Sequence, residues 1–528
     1  MGTLSWASRS LSTLALVVCV IGCRPAEVGG GSPPDLAAGG GSDGGVTDGG
    51  VTLPDGSVTP GAPDRFLLRG IILTPDELVD GALLVEADKI TCVASGDACS
   101  ARAGAAGATV IDTHGIITPG MIDTHNHILF DVFDNDDWKP SMVYTNHNDW
   151  TSEPRYAAML DVKQCLVNDS QGKPTWCANT AYGTAAGSLR CEFDKFGELK
   201  GLVAGTTSIV GLPGTSAACF GSVARSVDVA QNGLGTDAIQ TSATFPPSQT
   251  SADGVCGNFA SGATKAYLIH CGEGTDARAL GEFATLSSVT TTPGCLLAPQ
   301  TTITHGVAFG ANEFMTMAQK GVKLTWSPAS NVSLYGATAD IPTALTAGVT
   351  VALAPDWSMG GSPNLLDELR FADAWDNAHW SDVLSAETLL DMTTTNAAAA
   401  VGLGDRIGQL KEGYLADLAV YAGDTTKPYD AVLAATPKSV ELVMVGGAIL
   451  YGDAALALAE PAQPACETLD VCGAQKFLCI ATTDAANKLN QSYAQIKAAL
   501  EQALLDADAQ TPGDGFDFAP LTPLVKCP

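Results

Sequence analysis

Four short apolar runs, each ending in a residue that can bind a metal, constrain this chain more than any other feature. The first is Ile116-Ile117-Thr118-Pro119-Gly120-Met121-Ile122-Asp123-Thr124-His125-Asn126-His127, which closes on two histidines one residue apart. Ala266-Tyr267-Leu268-Ile269-His270 is followed by Cys271-Gly272-Glu273. Thr301-Thr302-Ile303-Thr304-His305 is a β-branched run, and Val349-Thr350-Val351-Ala352-Leu353-Ala354-Pro355-Asp356 ends in a carboxylate. A strand sends alternate side chains to one face, so His125 and His127 point the same way if the first run stays extended to its end. Helix-length segments separate the runs. In a barrel of eight parallel strands, the C-terminal strand ends converge on one mouth, where such barrels carry their active sites. The order of the runs therefore predicts an α/β chain built on a (β/α)8 barrel, with a metal site at its mouth. Histidine is scarce, at seven in 528 residues, and two of them sit in the His-x-His.

These runs, with Gly205-Thr206-Thr207, Ser327-Pro328-Ala329-Ser330-Asn331, Thr395-Asn396-Ala397-Ala398 and Gly408-Gln409-Leu410-Lys411-Glu412-Gly413 to Asp417-Leu418, resemble the amidohydrolase superfamily. The branch most similar holds cytosine and guanine deaminases, adenosine-type deaminases and triazine chlorohydrolases and aminohydrolases. The resemblance runs from about Arg65 to Gly452. It implies a barrel beside a small β-sandwich composed from both flanks, residues 65–118 and 404–455, with the barrel at 119–403. Blocks such as Gly81-Ala82-Leu83-Leu84-Val85 and Leu442-Val443-Met444-Val445 suit that sandwich.

The resemblance also implies roles. His125, His127, His270 and Asp356 are the expected ligands of one divalent metal ion, zinc first and iron second. A metal-bound water has its pKa lowered from 15.7 towards roughly 7. Asp356 doubles as the acceptor of the water's proton, and Glu273 carries protons to the ring nitrogen and leaving group. His305 is read as a ligand or, preferred for a one-metal site, a hydrogen-bonding electrophile. Two-metal branches bridge their ions with a carboxylated lysine on the fourth strand; no lysine lies in 238–245, and Lys265 opens the next strand, so one metal is expected. Trp326 and Trp357 flank the last two strand ends and either stack on a planar substrate or pack in the core. Ser330 and Asn331 are candidate substrate contacts. His114, His147 and His379 match no motif and are given no role.

Composition sets outer limits. Apolar residues make up 46% of the chain, enough for a sizeable core, and the formal net charge is −30. That charge excludes a general nucleic-acid surface and argues against an electrostatic grip on anionic membranes. Whether it favours neutral or cationic substrates or only aids solubility stays open. At the N-terminus, Leu11 to Ile21 is apolar but shorter than the roughly 20 residues a membrane span needs. It ends in Val20-Ile21-Gly22-Cys23, which resembles a bacterial lipoprotein signal with Cys23 as the acylated residue; a plain secretory signal is the alternative. Residues 1–23 are thus expected to direct export to the cell envelope, on the periplasmic or outer surface, with a lipid at Cys23 as the sole membrane attachment. Residues 24–64 are Gly, Pro and Asp-rich and read as a flexible tether.

Fifteen cysteines suit an exported chain. Setting aside Cys19, Cys23 and Cys271, the last expected to stay reduced, leaves 12 that can pair, with Cys92–Cys99 the pair named first. Residues 456–528 are expected to be a cysteine-containing helical appendage, with an amphipathic helix near Ala485–Leu504. The insertion from Ile128 to about Lys200 is expected over the barrel mouth. The favoured function is a metal-dependent hydrolase of non-peptide C–N bonds acting on a small molecule, an aminohydrolase of a heterocycle or cyclic amidine. An amidase or dipeptidase-type amidohydrolase and a non-catalytic surface binding lipoprotein are the alternatives. Homo-oligomerisation is left open.

Overall fold

The computed structural model describes residues 56–211, 219, 223–228, 238–461, 466–511 and 515–527. The signal segment with Cys23, and the tether as far as residue 55, lie outside the described residues. Five strands precede the barrel: β1 (Ser57–Thr59), β2 (Ala62–Leu73), β3 (Leu78–Glu86), β4 (Lys89–Ser95) and β5 (Ala108–Pro119). β5 leads directly into the first barrel strand across Gly120, where an added Cβ would lie 2.2 Å from the Thr207 side chain. Only glycine lets the two strands approach so closely there.

Eight parallel strands follow in chain order: β6 (Met121–Asp123), β7 (Thr206–Ile209), β8 (Arg225–Ser226), β9 (Ile239–Ser242), β10 (Ala266–Cys271), β11 (Thr301–His305), β12 (Lys323–Trp326) and β13 (Val351–Leu353). They pair as β6-β7-β8 and as β13-β12-β11-β10-β9. The last strand meets the first at a parallel bridge between Asn126 and Asp356. There His127 N donates to Asp356 O at 2.6 Å and Asp356 N to His125 O at 3.1 Å. Among the described residues, helices stand between β6 and β7 and between each successive pair from β9 to β13, with ends set by local chemistry. Asp276 caps Ala277–Ser288 by accepting from Arg278 N and Ala279 N, while Gly262 and Gly321 close two others in the left-handed region. This is the (β/α)8 barrel that the strand-end spacing predicts.

After the barrel come β14 (Leu418–Tyr421), β15 (Val440–Val445) and β16 (Ala448–Asp453). β14 pairs antiparallel with β5, setting Leu418 opposite Pro119 and Tyr421 opposite Ile116. Both flanks thereby join one ten-stranded sheet. Leu68, Leu83, Val420, Met444 and Phe477, from both halves of it, share one apolar core. An Arg225–Asp417 ion pair at 3.0 Å ties the sheet to barrel strand β8.

Two features differ from expectation. β1 and the start of β2 fall inside the stretch read as tether; a three-residue strand is too short to show alternation. The C-terminal extension is not only helical: β17 (Glu467–Val471) and β18 (Ala474–Leu478) form a hairpin on β16. Without it β16 would be an open edge, and edges are covered because their free backbone groups invite foreign strands. The extension's helix is Tyr493–Asp508, started by a Ser492–Gln495 capping box, and it packs on the helix Arg190–Leu202. Lys488 pairs with Glu192 at 2.7 Å, and Lys195 Nζ donates to Lys488 O at 2.6 Å.

Six disulfides occur among the described residues: Cys92–Cys99, as named from sequence, with Cys165–Cys177, Cys191–Cys219, Cys256–Cys295, Cys466–Cys479 and Cys472–Cys527. Cys271 is unpaired and buried. Cys472–Cys527 spans 55 residues and closes the extension on itself. A cross-link of this kind contributes about 2–4 kcal/mol. The double substitution Cys472→Ser, Cys527→Ser is therefore expected to lower the thermal unfolding midpoint by several degrees, measured by differential scanning fluorimetry. An unchanged midpoint would show that this bridge does not brace the folded chain.

Candidate active site

The strand ends bring the candidate ligands together, but not by strand alternation. β6 stops at Asp123, so His125 and His127 lie beyond it in a turn. Asp123 shapes that turn by accepting from His125 N at 3.1 Å and Asn126 Nδ2 at 2.9 Å. The rings still converge: His125 lies 5.0 Å from His127, 4.6 Å from His270 and 5.3 Å from His305, between centroids. His305 and Asp356 both sit at positive φ, 78° and 72°. Non-glycine residues in that region mark positions the surrounding structure over-determines. Here the conformation turns two side chains inward from the strand ends.

Asp356 Oδ1 is 2.9 Å from His125 Nε2 and 3.4 Å from His127 Nε2. His125 Nε2 and Asp356 Oδ1 are not aligned for a hydrogen bond, and neither has another hydrogen-bond partner. Asp356 Oδ2, by contrast, accepts from Ser330 Oγ at 2.5 Å. His125, His127 and His270 form one group able to hold a metal, and His125, His305 and Asp356 another, each with ligand atoms within 4.8 Å of one another.

Hydrogen bonds assign the histidine tautomers. His270 Nδ1 lies 3.2 Å from Ser242 O, a carbonyl that can only accept, so the proton is on Nδ1 and the Nε2 lone pair is free. His305 is the opposite case. The Trp326 indole can only donate, and it donates to Thr338 Oγ1 at 2.6 Å. Thr338 in turn donates to Asn331 Oδ1 at 3.3 Å, which leaves Asn331 Nδ2 facing His305 Nδ1 at 3.1 Å. His305 Nδ1 must accept, so Nε2 bears the proton and is a donor rather than a ligand atom.

The same logic holds Glu273. Trp150 Nε1 donates to Tyr335 Oη at 3.1 Å, and Tyr335 donates to Glu273 Oε1 at 2.6 Å. Glu273 Oε2 is the other oxygen, 3.7 Å from both His305 Nε2 and His147 Nδ1. Burial pushes the Glu273 carboxyl up to about 7. Burial also holds the His127 and His305 imidazoles down to about 4 and about 3, and His270 well below its ordinary value. All three are therefore neutral near pH 7, the form that binds metal. Burial raises Asp356 as well, but His125, His305 and His127 outweigh it and keep the carboxylate below its usual range. Burial drives the Cys271 thiol well up, so it is no thiolate ligand.

A cavity of about 690 Å³ opens onto Asp356, Glu273 and His305. Phe130, Trp150, Tyr156 and Trp357 line one side, and Lys163 and Arg190 lie on its boundary. Trp357 borders the cavity and also packs against Phe130, Trp138 and Trp150. Trp326 does not border it: it is fully buried in the barrel wall, 5.7 Å from the Trp380 ring. Ser330 and Asn331 are also fully buried, and they orient Asp356 and His305 instead of reaching the cavity. Sequence reasoning missed His147, Tyr335 and Glu282. Only the scarcity of histidine could have drawn attention to His147.

The chain belongs to the amidohydrolase family, whose model matches residues 116–450, more than half of its length. It is 35% identical over 163 residues to a 5-methylthioadenosine/S-adenosylhomocysteine deaminase of Thermococcus onnurineus (strain NA1), covering 29% of this chain and 38% of that protein. The chain thus spans less than half the length of the curated relatives it matches. Two solved structures share its fold. An adenosine deaminase from Xanthomonas campestris with bound zinc has 15% identity and TM-score 0.55, covering 85% of this chain and 100% of that one. A zinc-complexed atrazine chlorohydrolase from Arthrobacter aurescens TC1 has 19% identity and TM-score 0.54, covering 76% and 97%.

One helix, Pro328–Tyr335, carries Ser330, Asn331 and Tyr335, and Glu368 anchors its first turn by accepting from Ala329 N at 3.1 Å. Burial pushes the Glu368 carboxyl from 4.5 up to about 8. The folded state therefore keeps a proton that the unfolded chain releases above about pH 4.5. The stability this group contributes is fully present below that pH and is lost as pH rises through about 8. Glu368→Gln, which cannot ionise, is expected to gain stability relative to the parent between pH 5 and 8 in denaturant titrations. A constant difference across that range would contradict this assignment.

Proposed function

We propose that this chain is a metal-dependent aminohydrolase that releases ammonia from a heterocycle or cyclic amidine. One observation carries the reading: the buried pair His125 Nε2 and Asp356 Oδ1, partnerless at 2.9 Å, faces a buried carboxyl at Glu273 poised near neutrality. His125, His127, His270 and Asp356 would hold one divalent cation. Imidazole nitrogens with a carboxylate oxygen suit zinc. Zinc is also the ion in the similar deaminase and chlorohydrolase structures, and iron is the second candidate. When bound, the ion supplies an acidified water near neutral pH.

The chain's own residues do the rest. Asp356 takes the proton of the attacking water and returns it to the departing nitrogen. Glu273 Oε2 gives its proton to the ring nitrogen beside the attacked carbon, where addition builds negative charge, and regains one as the carbonyl forms. His305 donates from Nε2 to the adding oxygen. The aromatic side formed by Phe130, Trp150, Tyr156 and Trp357 offers a flat surface for the ring. We also propose that the chain is exported and lipid-anchored at Cys23. Six disulfides support an oxidising compartment. Among the described residues no helix is long and apolar enough to cross a membrane.

Three measurements test this reading. Purified protein should carry about one zinc per chain by elemental analysis, and His125→Ala and Asp356→Ala should each lose most of it while remaining folded. Full metal retention in both would refute the ligand set. Glu273→Gln should keep zinc and lose at least roughly 10²-fold in kcat on whichever of adenosine, guanine, cytosine or an aminotriazine releases ammonia. Because Glu273 acts as an acid, kcat should fall as pH rises through about 7, and that limb should vanish in Glu273→Gln. Turnover confined to open-chain amides would replace the aminohydrolase with an amidase. Finally, Cys23→Ala should abolish incorporation of labelled palmitate; labelling that persists would remove the anchor from Cys23.

A further inference from the structure

The insertion over the barrel mouth brings a histidine onto the far side of Glu273 from Tyr335. Residues 145–147 run antiparallel to residues 273–275: Asn146 bridges Gly274, His147 N donates to Glu273 O at 3.3 Å, and Thr275 N donates to Thr145 O at 2.9 Å. Gly274 permits this approach. Its φ is +136°, and an added Cβ would lie 2.5 Å from Thr145 O. The His147 imidazole then spans two carboxyl groups. Nε2 lies 2.9 Å from Glu282 Oε1, and Nδ1 lies 3.7 Å from Glu273 Oε2. Glu282 is itself fixed, since its Oε2 accepts from Gly272 N at 2.7 Å.

We propose that His147, oriented by Glu282, is a positioning residue for Glu273 that stabilises the carboxylate left when Glu273 has given up its proton. This inference rests on the aminohydrolase reading. The two oxygens of Glu273 are not equivalent. Oε1 is occupied by the Tyr335 hydroxyl, whose own oxygen already takes the Trp150 N–H, so the transferable proton belongs to Oε2. While Glu273 is protonated it is neutral and needs no counter-charge. Once the proton is on the ring nitrogen, Oε2 becomes a buried anion 3.7 Å from His147 Nδ1, which bears a hydrogen in the charged imidazole, the Nε2 hydrogen being taken by Glu282 Oε1. The proton count closes without His147, because Glu273 regains its proton from the intermediate's hydroxyl. His147 therefore acts on the energy of the intermediate state and stays unchanged itself.

The groups around the imidazole favour its charged form. Burial opposes the charge, but Glu282, joined by Glu273 once it is ionised, outweighs burial, with Arg278 acting against them. His305, whose Nε2 lies 3.7 Å from the same Glu273 oxygen, is neutral. An interaction made after proton donation and absent from the ground state should appear in kcat and leave KM alone. One charge-assisted contact corresponds to roughly 10- to 10²-fold.

The test uses the zinc-loaded full chain. His147→Gln and Glu282→Gln are expected to keep zinc and the unfolding midpoint, to lower kcat by roughly 10- to 10²-fold, and to hold KM within about twofold. Added imidazole should restore part of the activity of His147→Ala. A second arm needs no substrate: in 15N-histidine-labelled protein, the resonance missing from His147→Gln should shift in both Glu273→Gln and Glu282→Gln. If that resonance ignores both substitutions, or if His147→Gln raises KM with kcat intact, the proposal fails while the aminohydrolase reading stands. If no ring amine yields ammonia, the aminohydrolase reading falls and the proposed role falls with it, and the resonance shifts then report the contact alone.

Discussion

A carboxylate oxygen and an imidazole nitrogen, buried 2.9 Å apart with no hydrogen bond between them or to anything else, set the terms for the rest of this fold. Leaving such groups unpaired inside a protein costs several kcal/mol, and native structures rarely tolerate it. The pair arises where the barrel closes. His125 and Asp356 belong to the first and last strand ends, and the Asn126–Asp356 bridge that joins those ends also forces the two side chains together. The bridge that joins the first and last strands therefore also brings together two of the proposed metal ligands. The left-handed backbone at Asp356 and His305 is the local strain that accompanies it.

Around that centre, direction is imposed by tryptophans. An indole N–H can donate and never accept, so any chain of hydroxyls and amides that begins at one has a single polarity. Trp326 starts the path through Thr338 and Asn331 that leaves the proton of His305 on Nε2. Trp150 starts the path through Tyr335 that occupies Oε1 of Glu273 and leaves Oε2 for the proposed proton transfer. Both paths pass through the helix Pro328–Tyr335, so that one short element orients His305, Glu273 and, through Ser330, Asp356.

These facts explain what could be read in advance. The barrel, its order and the residues gathered at its mouth were legible because four of its strands are local apolar patterns that lead into a metal-competent residue. His125, His127, His270, His305 and Asp356 needed no tertiary information beyond the rule that parallel strand ends converge. The roles of Trp326, Ser330 and Asn331 were not legible. Placing a residue near a strand end does not say whether it lines the cavity or stands behind the residues that do; all three are fully buried, and Ser330 and Asn331 support Asp356 and His305 from behind. His147 was invisible for a different reason. It sits in an insertion with no periodicity, and its partners Glu273 and Glu282 lie more than a hundred residues away in the chain.

The C-terminal extension shows the same limit on a larger scale. Its cysteines announced cross-linking, but their partners and purpose depend on where the segment docks. It docks on the helix Arg190–Leu202, whose first turns hold Cys191, Glu192 and Lys195. Cys191 is bridged to Cys219, while Glu192 and Lys195 bind the segment around Lys488 and Gln491. Lys195 is fully buried there, a placement that costs free energy unless the ammonium is hydrogen-bonded, as it is here to Lys488 O and Gln491 Oε1. Arg190, the first residue of that helix, borders the cavity. The extension therefore packs on the helix that carries Arg190 to the cavity, although none of its described residues lines the cavity itself.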